Sequence, residues 1–127
     1  MPELPDVEIF KQYLDSTSLH QNIKEIEVVN DYILKDISSK KFKNAVQKHS
    51  FSQSKRYGKH LLVETTSDSV VHFHFGMTGF LKYYKDQDEQ PEHARILFHF
   101  TNGYTLAFDC QRMLGKVTLE KGLEEFI

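Results

Sequence analysis

Cysteine, proline and tryptophan are scarce in this sequence, whose 127 residues include one cysteine, three prolines and no tryptophan. The lone Cys110 excludes an internal disulfide framework and a zinc site built from several cysteines. No apolar run approaches the roughly 18 residues that a membrane-spanning helix needs, and charge rather than an apolar segment follows Met1. We therefore expect a single domain in a reducing, cytoplasm-like compartment, with no membrane segment and with enough residues to bury a core.

An overall excess of positive charge is also lacking, because the formal net charge is −2. That balance argues mildly against nucleic-acid binding, but it hides an uneven distribution. Residues 37–63 contain seven cations and no carboxylate, the cations being Lys40, Lys41, Lys43, Lys48, Lys55, Arg56 and Lys59. The stretch predicts a basic face, and a solvated lysine-rich helix and loop is the simpler alternative.

Two helices are predicted from apolar spacing. Val7, Phe10 and Leu14 recur at helical intervals, which indicates an amphipathic helix from about residue 3 to Asp15, with prolines only at its entry. The segment 38–47, SSKKFKNAVQ, begins with a serine suited to capping and continues at helical spacing. It therefore predicts a short second helix.

The remainder of the sequence predicts strands. Residues 23–30 alternate between apolar and polar side chains, and six short runs follow Ser50: HLLVET, SVVHFHF, GFLKYY, ARILFHF, YTLAFD and GKVTLE. The Asn102-Gly103 pair is typical of a tight hairpin turn. The pattern predicts seven or eight strands in a sandwich or a barrel. The tail KGLEEFI has the pattern of a helix cut off after one turn, so we expect the natural chain to continue.

The start of the chain, MPELPDVE, is a candidate covalent catalyst. Initiator methionine is commonly removed before proline, which would leave Pro2 with a free secondary amine. Such an amine can attack a carbonyl carbon or a sugar C1′ and form an iminium. Glu3 is adjacent and suited to moving protons in that reaction. The simpler interpretation is that Pro2 only begins a helix.

Three further stretches contain residues suited to contacting nucleic acid. In KRYGKHLL, Lys59 at a strand entrance can hold a phosphate as a point charge. In HFHFGMTGF, Met77 lies between two glycines in a tight turn, where an exposed apolar side chain suits insertion into a base stack. In FDCQRMLGK, Arg112, Met113 and Leu114 precede a glycine that restarts a strand. The alternatives are a solvated lysine and apolar side chains that fold back over the sheet.

Histidines are frequent in the predicted strands. His72, His74 and His99 alternate with apolar residues, and metal binding by such a set is conceivable. Surface or hydrogen-bonded histidines are the interpretation that we prefer, so we predict no metal site.

In order and spacing, these stretches resemble the N-terminal catalytic domain of the formamidopyrimidine-DNA glycosylase and endonuclease VIII family. MPELPDVE is similar to the family's MPELPEVE start, and KRYGKHLL, HFGMTG and an EHAR–TNG segment follow in order. PELP and the GMTG loop favour the branch that acts on 8-oxoguanine and formamidopyrimidines. The resemblance covers essentially residues 1–127 and implies a mostly β (α+β) fold. That fold is an antiparallel β-sandwich of about eight strands, with an N-terminal helix that carries the catalytic terminus and a short second helix.

The resemblance implies a DNA glycosylase with AP-lyase activity in base excision repair of oxidised purines. Pro2 would attack C1′ of the damaged nucleotide, and Glu3 would protonate the sugar ring oxygen. Lys59, counted among the catalytic residues, would contact the phosphates around the lesion. β- and δ-elimination from the iminium would then cleave the strand.

The resemblance also implies a set of DNA contacts, because C1′ is reached only when the damaged nucleotide is flipped out of the stack. Met77 and Arg112 would occupy the vacated space, with Leu114 as an apolar wedge and His93 as a further contact. The family's DPRRFG loop appears here as DCQRMLGK, without its aromatic wedge. Secondary candidates are Asp6, where the family often has glutamate, Arg56 and Met113.

The family has a second domain with a helix–two-turn–helix and a zinc finger or zincless equivalent, which is absent from this sequence. We therefore expect a truncated chain or a reduced homologue, active or inactive alone, with no cofactor and with zinc only in the absent domain. The expected partner is damaged double-stranded DNA, bound by a monomer in the cytoplasm, at the nucleoid if the source is prokaryotic. One alternative is a non-catalytic damaged-DNA-binding module of the same fold. Another is a tautomerase with a terminal proline base, which the many strands disfavour.

Overall fold

The computed structural model describes the backbone of residues 4–121 and the side chains of residues 7–121. Within that range lie two α-helices and eight strands: α1 (Leu4–Thr17), β1 (Ile23–Val28), α2 (Ser39–Val46), β2 (Phe51–Tyr57), β3 (His60–Thr65), β4 (Val70–His74), β5 (Phe80–Tyr84), β6 (Ala94–Phe100), β7 (Thr105–Asp109) and β8 (Lys116–Glu120). Antiparallel pairing gives two four-stranded sheets, with the orders β1-β6-β7-β5 and β2-β3-β4-β8. The predicted antiparallel sandwich is confirmed, and the barrel alternative does not form.

Both helices form where apolar spacing predicted them. α1 ends at Thr17 rather than Asp15, because the Thr17 hydroxyl donates to the Tyr13 carbonyl oxygen at 2.8 Å and the chain stays helical for another half turn. α2 begins after Ser38, whose side chain accepts the backbone N–H of Lys41. That cap satisfies one of the otherwise unpaired N–H groups at the helix start.

The strand β2, FSQSKRY, was not predicted from the sequence. Only Phe51 and Ser54 of its seven residues are buried, so its side chains lack the apolar alternation of a strand with a fully covered face. β2 lies at the edge of its sheet, with β3 as its one neighbouring strand in that sheet. Edge strands with charged side chains are common because they resist pairing with other chains.

The core lies between the sheets and is rich in phenylalanine. Phe73 is central, with its ring centroid 5.5 Å from that of Phe108 and 6.2 Å from those of Phe75 and Phe98. All four side chains are at most 1% exposed. Burial of each such ring contributes about 1.5–3 kcal/mol, which makes this cluster the main source of cohesion between the sheets.

α1 packs across the edges of both sheets. The Tyr13 hydroxyl accepts the backbone N–H of Tyr83 at 2.6 Å and faces its carbonyl oxygen at 3.3 Å, which ties the helix to β5. Asp15 accepts a hydrogen bond from the Ser54 hydroxyl of β2. The helix therefore bridges the two sheets along one side of the sandwich.

Several predictions fall outside the described residues. These include the positions of Pro2 and Glu3 and the helix predicted in the tail KGLEEFI. Asp6 lies within α1, but its side chain is not among those described. No helix among residues 4–121 has the length and apolar character needed to span a membrane.

Candidate nucleic-acid interface

Three loops meet at one end of the sheet β2-β3-β4-β8. His60 lies opposite His74, and His74 lies opposite Lys116, so these three residues form a row across neighbouring strands. The β2–β3 turn, the β4–β5 connection and the β7–β8 connection leave the sheet beside this row. In that order, the three loops carry the predicted DNA contacts Lys59, Met77 and Leu114.

The second sheet contributes its loops at the same end. Phe80 at the start of β5 and Ala94 at the start of β6 both pair with Asp109 at the end of β7. His93 and the loop that carries Arg112 therefore adjoin this end. Two of the three inter-sheet connections, residues 75–79 and 110–115, run here. We call residues 58–59, 75–79, 91–93 and 110–115 the loop end of the sandwich.

Two glycines bring the connections of the loop end into backbone contact. A β-carbon on Gly76 would lie 2.6 Å from the backbone nitrogen of Gly115, and Gly76 also has φ +63°. The backbone N–H of Arg112 faces the Thr78 hydroxyl at 3.4 Å. Met77 and Arg112 are therefore held on adjacent loops, as the intercalation hypothesis requires.

The loop that carries Arg112 is held by Arg95 from β6. Arg95 lies at a register shift between Ala94 and Ile96, and such a bulge redirects a side chain away from the ladder. Its Nε donates to the Cys110 carbonyl oxygen at 3.0 Å, and its Nη2 donates to the Gln111 carbonyl oxygen at 3.2 Å. These bonds fix the backbone just before Arg112.

The backbone of His93 is joined to the start of the same loop by two hydrogen bonds. The Asp109 carboxylate accepts the His93 N–H at 2.8 Å, and the His93 carbonyl oxygen accepts the Cys110 N–H at 3.2 Å. Burial raises the pKa of Asp109, and the bond from the His93 N–H opposes that shift. His93 is partly exposed, and its backbone helps to position the loop.

Exposure separates the apolar candidates. Met77 is 46% exposed and Leu114 is 52% exposed, whereas Met113 packs against the hydrophobic core. Met113 has φ +57°, so the chain reverses there and directs the neighbouring Leu114 to the surface. The structure therefore favours Leu114 over Met113 as an apolar wedge.

The basic candidates differ in their contacts. Lys59 is exposed in the turn between β2 and β3. Arg56 donates from Nε to Glu8 of α1 at 2.9 Å and from Nη1 to the Gly58 carbonyl oxygen at 3.1 Å. The hydrogen bond from Arg56 lowers the pKa of Glu8. Arg56 therefore links the Lys59 turn to α1, a structural role that the sequence did not reveal.

The same contacts bring the first half of α1 to the loop end. Glu8 pairs with Arg56, and the Phe10 ring lies 4.6 Å from the Phe75 ring, just before Gly76. Asp15, at the predicted end of the helix, instead contacts Ser54, which lies farther from the loop end along β2. α1 therefore runs with its beginning directed toward the loop end.

Beside the loop end, an open cavity of about 620 Å³ lies against the sheet β2-β3-β4-β8. Its lining includes His60, His72 and His74, with Leu114 at its rim. His60 Nδ1 lies 2.8 Å from His72 Nε2. His99 belongs to the other sheet, where it contacts Thr105 and Glu27. Among residues 4–121, no group of histidine, cysteine or acidic side chains has an arrangement suited to a metal ion.

Sequence reasoning missed several residues that organise the site. His60 and Lys116 become visible only once strand register places them beside His74. Arg95 and Thr78 act through bonds to loop backbone, which leave no sequence pattern. Such contacts follow from how the strands pair, so they appear only in three dimensions.

Comparison with known proteins identifies related chains. A family model described as the formamidopyrimidine-DNA glycosylase N-terminal domain matches residues 1–117. Curated proteins named formamidopyrimidine-DNA glycosylase are 33% identical over 119 residues in Streptococcus pneumoniae and 33% identical over 127 residues in Cytobacillus firmus. The matches cover 94% and 98% of this chain, but 43% and 46% of the relatives. The chain thus spans less than half the length of these relatives.

Solved structures show the same fold. The wild-type Lactococcus lactis Fpg in complex with DNA containing N7-benzyl-Fapy-dG superposes with a TM-score of 0.90 at 22% identity, covering 98% of this chain and 46% of that one. The same protein with abasic-site DNA gives a TM-score of 0.86 at 22% identity, covering 93% and 43%. At this identity the likeness establishes the sandwich architecture.

Proposed function

The chain belongs to the formamidopyrimidine-DNA glycosylase family through its N-terminal domain, and we propose that it provides the catalytic half of a DNA glycosylase with AP-lyase activity. The proposed substrate is double-stranded DNA that contains oxidised purines, such as 8-oxoguanine and formamidopyrimidines. The reaction belongs to base excision repair, performed by a monomer in the cytoplasm with the chromosomal DNA.

The observation that carries the proposal is the convergence at the loop end. The proposed DNA contacts come from four separate segments, yet strand pairing brings all of them to one end of the sandwich. These contacts are Lys59, Met77, His93, Arg112 and Leu114. Two exposed apolar side chains beside cationic ones suit a surface that both holds phosphates and enters a base stack. The beginning of α1 is directed toward the same end, which supports a catalytic terminus there.

The proposed chemistry uses the chain terminus once Met1 is removed. The Pro2 nitrogen attacks C1′ of the damaged nucleotide, the glycosidic bond breaks, and the base leaves with the bonding electrons. Opening of the sugar ring then breaks the C1′–O4′ bond and leaves an iminium, which acidifies the C2′ hydrogens and permits β-elimination of the 3′ phosphate and then δ-elimination of the 5′ phosphate. Glu3 donates the proton to the ring oxygen as the sugar opens.

The loop-end residues have separate roles in the proposal. Lys59 contacts the phosphates that flank the flipped nucleotide, and His93 adds a further polar contact. Met77 and Leu114 fill the vacated stack, and Arg112 donates hydrogen bonds to the orphaned partner base. Filling that space offsets part of the stacking energy lost on flipping, which amounts to a few kcal/mol.

Borohydride trapping tests the covalent step directly. The processed chain is incubated with a duplex containing 8-oxoguanine or an abasic site, the iminium is reduced, and the adduct is detected by denaturing electrophoresis. We expect an adduct that disappears with Pro2→Gly, and equally with a chain that retains Met1, because its Pro2 nitrogen is an amide. The matched control Pro5→Gly keeps the terminal amine and the adduct.

Two outcomes would contradict the proposal in different ways. An adduct that persists with Pro2→Gly would assign the nucleophile to another residue. Duplex binding without any adduct, in this chain and after its fusion to a second domain from a relative, would instead indicate a non-catalytic damaged-DNA-binding module.

A further inference from the structure

Polar contacts join α1 to the strands at several points along its length. These pairs are Glu8 with Arg56, Tyr13 with Tyr83, and Asp15 with Ser54. The pair formed by Glu8 lies nearest the start of the helix. Leu4, the first residue of α1, is two positions after Pro2, and Glu8 follows one helical turn later, a rise of about 6 Å. Glu8 is therefore the contact best placed to control the direction in which α1 begins.

The guanidinium of Arg56 joins this helix to the turn between β2 and β3. Its Nε donates to Glu8 Oε1 at 2.9 Å, and its Nη1 donates to the Gly58 carbonyl oxygen at 3.1 Å. That carbonyl belongs to the peptide group that Gly58 shares with Lys59. Because a guanidinium is planar and rigid, a displacement of this peptide group is passed on to the Glu8 carboxylate.

The turn itself is open around Gly58. Tyr57 and His60 are paired in the ladder, so Gly58 and Lys59 form a two-residue connection. Gly58 has φ +61°, and nothing lies within 4 Å of a β-carbon built on it. Side-chain packing therefore does not fix the turn at Gly58, and the bond from Arg56 contributes directly to the position of the peptide group before Lys59.

The Glu8 carboxylate is held at both of its oxygens. Oε1 accepts from Arg56, and Oε2 accepts from Gln12 Nε2 at 3.3 Å within α1. The hydrogen bond from Arg56, followed by that from Gln12, lowers the pKa of Glu8. The carboxylate thus stays ionised at neutral pH and keeps a defined orientation between the helix and β2.

Arg56 is poorly placed to hold a phosphate itself. Two of its donor groups are used within the protein, its side chain is 31% exposed, and the negative charge of Glu8 balances its own. Lys59, by contrast, is exposed in the turn. This division indicates that Lys59 faces the phosphates while Arg56 acts on the position of the turn.

We propose that Arg56 is a positioning residue that transmits phosphate binding at the Lys59 turn to α1 and so aligns the catalytic terminus. The proposal rests on the proposed function, because it concerns how the Pro2 amine is brought to C1′. A phosphate bound at Lys59 fixes the preceding peptide group, which fixes the guanidinium and, through Glu8, the start of α1. Misplacement of a reacting group by about 1 Å can slow a reaction about a hundredfold, so such alignment affects the rate of iminium formation.

Single-turnover borohydride trapping with an abasic-site duplex separates positioning from binding. Arg56→Met removes the donors and keeps much of the side-chain volume. We expect the trapping rate constant at saturating duplex to fall about ten- to hundredfold, while the half-saturating duplex concentration changes by less than about twofold. The matched control Lys11→Met breaks the Lys11–Asp15 ion pair, which is 2.8 Å long and lies within α1. That control should keep both values.

A charge exchange separates the link through the turn from the ion pair alone. Glu8→Arg combined with Arg56→Glu restores opposite charges between α1 and β2 but supplies no donor to the Gly58 carbonyl oxygen. Because partly exposed ion pairs contribute little to stability, this double variant and Arg56→Met should unfold at nearly the urea concentration of the unmodified chain. The trapping rate of the double variant should stay low. Recovery of the full rate would overturn transmission through the turn.

Salt dependence shows whether Arg56 contacts a phosphate directly. Loss of one phosphate contact lowers the slope of log affinity against log salt concentration by about 0.9. We expect that decrease for Lys59→Met and an unchanged slope for Arg56→Met. A decrease of similar size for Arg56→Met would make Arg56 a DNA contact and overturn its positioning role.

Hydrogen exchange measures the transmission without requiring catalysis. We expect a saturating undamaged duplex to slow amide exchange at residues 8–12 of α1 several-fold in the unmodified chain, but not in Arg56→Met. A duplex that binds without slowing exchange in α1 of the unmodified chain overturns this inference and leaves the glycosylase proposal standing. No duplex binding by the unmodified chain, with no adduct in the trapping experiment, contradicts both proposals.

Discussion

Gly76 and Gly115 are packed backbone against backbone, and this contact joins the two chain segments that pass between the sheets at the loop end. A β-carbon on Gly115 would lie 2.5 Å from the His74 carbonyl oxygen and 3.1 Å from Cys110 Sγ. The contact fixes the spacing of the loops that carry Met77 and Arg112. Glycine is required here by close approach, and at Gly76 by its positive φ as well.

Gly76→Ala should therefore lower the free energy of unfolding by about 2–4 kcal/mol, through overpacking and backbone strain. Gly58→Ala is the matched control, because Gly58 has φ +61° but nothing within 4 Å of its would-be β-carbon. It should lose only the strain component, about 1–2 kcal/mol. Urea unfolding of both variants measures the difference, and equal losses would refute the close-approach explanation.

The exposed Met77 and the partly buried Met113 of the loop end should behave differently. Met77→Ala and Leu114→Ala remove exposed side chains, so unfolding free energies should change by no more than about 0.5 kcal/mol while duplex affinity falls several-fold. Met113→Ala removes core contacts and should cost about 1–2 kcal/mol. Chemical denaturation and fluorescence anisotropy on the same samples make the comparison. A large stability loss for Leu114→Ala would count against its assignment as a wedge.

Arg95 is expected to act as a positioning residue for Arg112. Arg95→Met removes both donors to the carbonyl oxygens of Cys110 and Gln111 while keeping much of the side-chain volume. Backbone amides of residues 111–114 should then exchange with deuterium several-fold faster, with amides of β3 unchanged. Arg95→Lys retains one donor and should give an intermediate rate. Unchanged exchange in the methionine variant would show that the loop is held by its other contacts.

The partly buried His72 gives a pH dependence of stability with a defined sign. Its pKa is about 4 in the folded protein against an ordinary 6.5, so the unfolded chain binds more protons between those values. The contribution of His72 to the free energy of unfolding is therefore constant above about pH 6.5, and it becomes less favourable as the pH falls toward 4. His72→Phe should weaken that decline, as measured by thermal unfolding at several pH values. An identical pH profile in the variant and the unmodified chain would exclude His72 as its source.

Much of the architecture could be predicted from local patterns. The helical spacing of Val7, Phe10 and Leu14 predicted α1, and apolar alternation predicted all strands except β2. The edge position of β2 explains that failure, because a strand that is paired on one side and packed against α1 needs few apolar residues. Its polar sequence therefore resembles a loop.

The candidate contact residues were predicted one by one from motifs, but their arrangement in space was not. The motifs identified Lys59, Met77 and Arg112 as candidates. The alternation of apolar and polar residues along a strand, however, does not indicate which of two sheets that strand joins. The turn at Met77 could have been an ordinary hairpin, whereas it crosses to the other sheet. The His60–His72 pair likewise depends on register, since a shift of one residue would place one ring on the opposite face.

The two crossings at the loop end also have a mechanical consequence. Residues 75–79 and 110–115 join the two sheets covalently at this end, and Met77 and Arg112 lie one on each of these crossings. A rigid duplex that contacts both crossings would hold them at a fixed separation. Binding of a duplex to the loop end should therefore oppose separation of the two sheets. The bound nucleic acid and the phenylalanine core would then stabilise the same inter-sheet contact, one from outside and the other from inside.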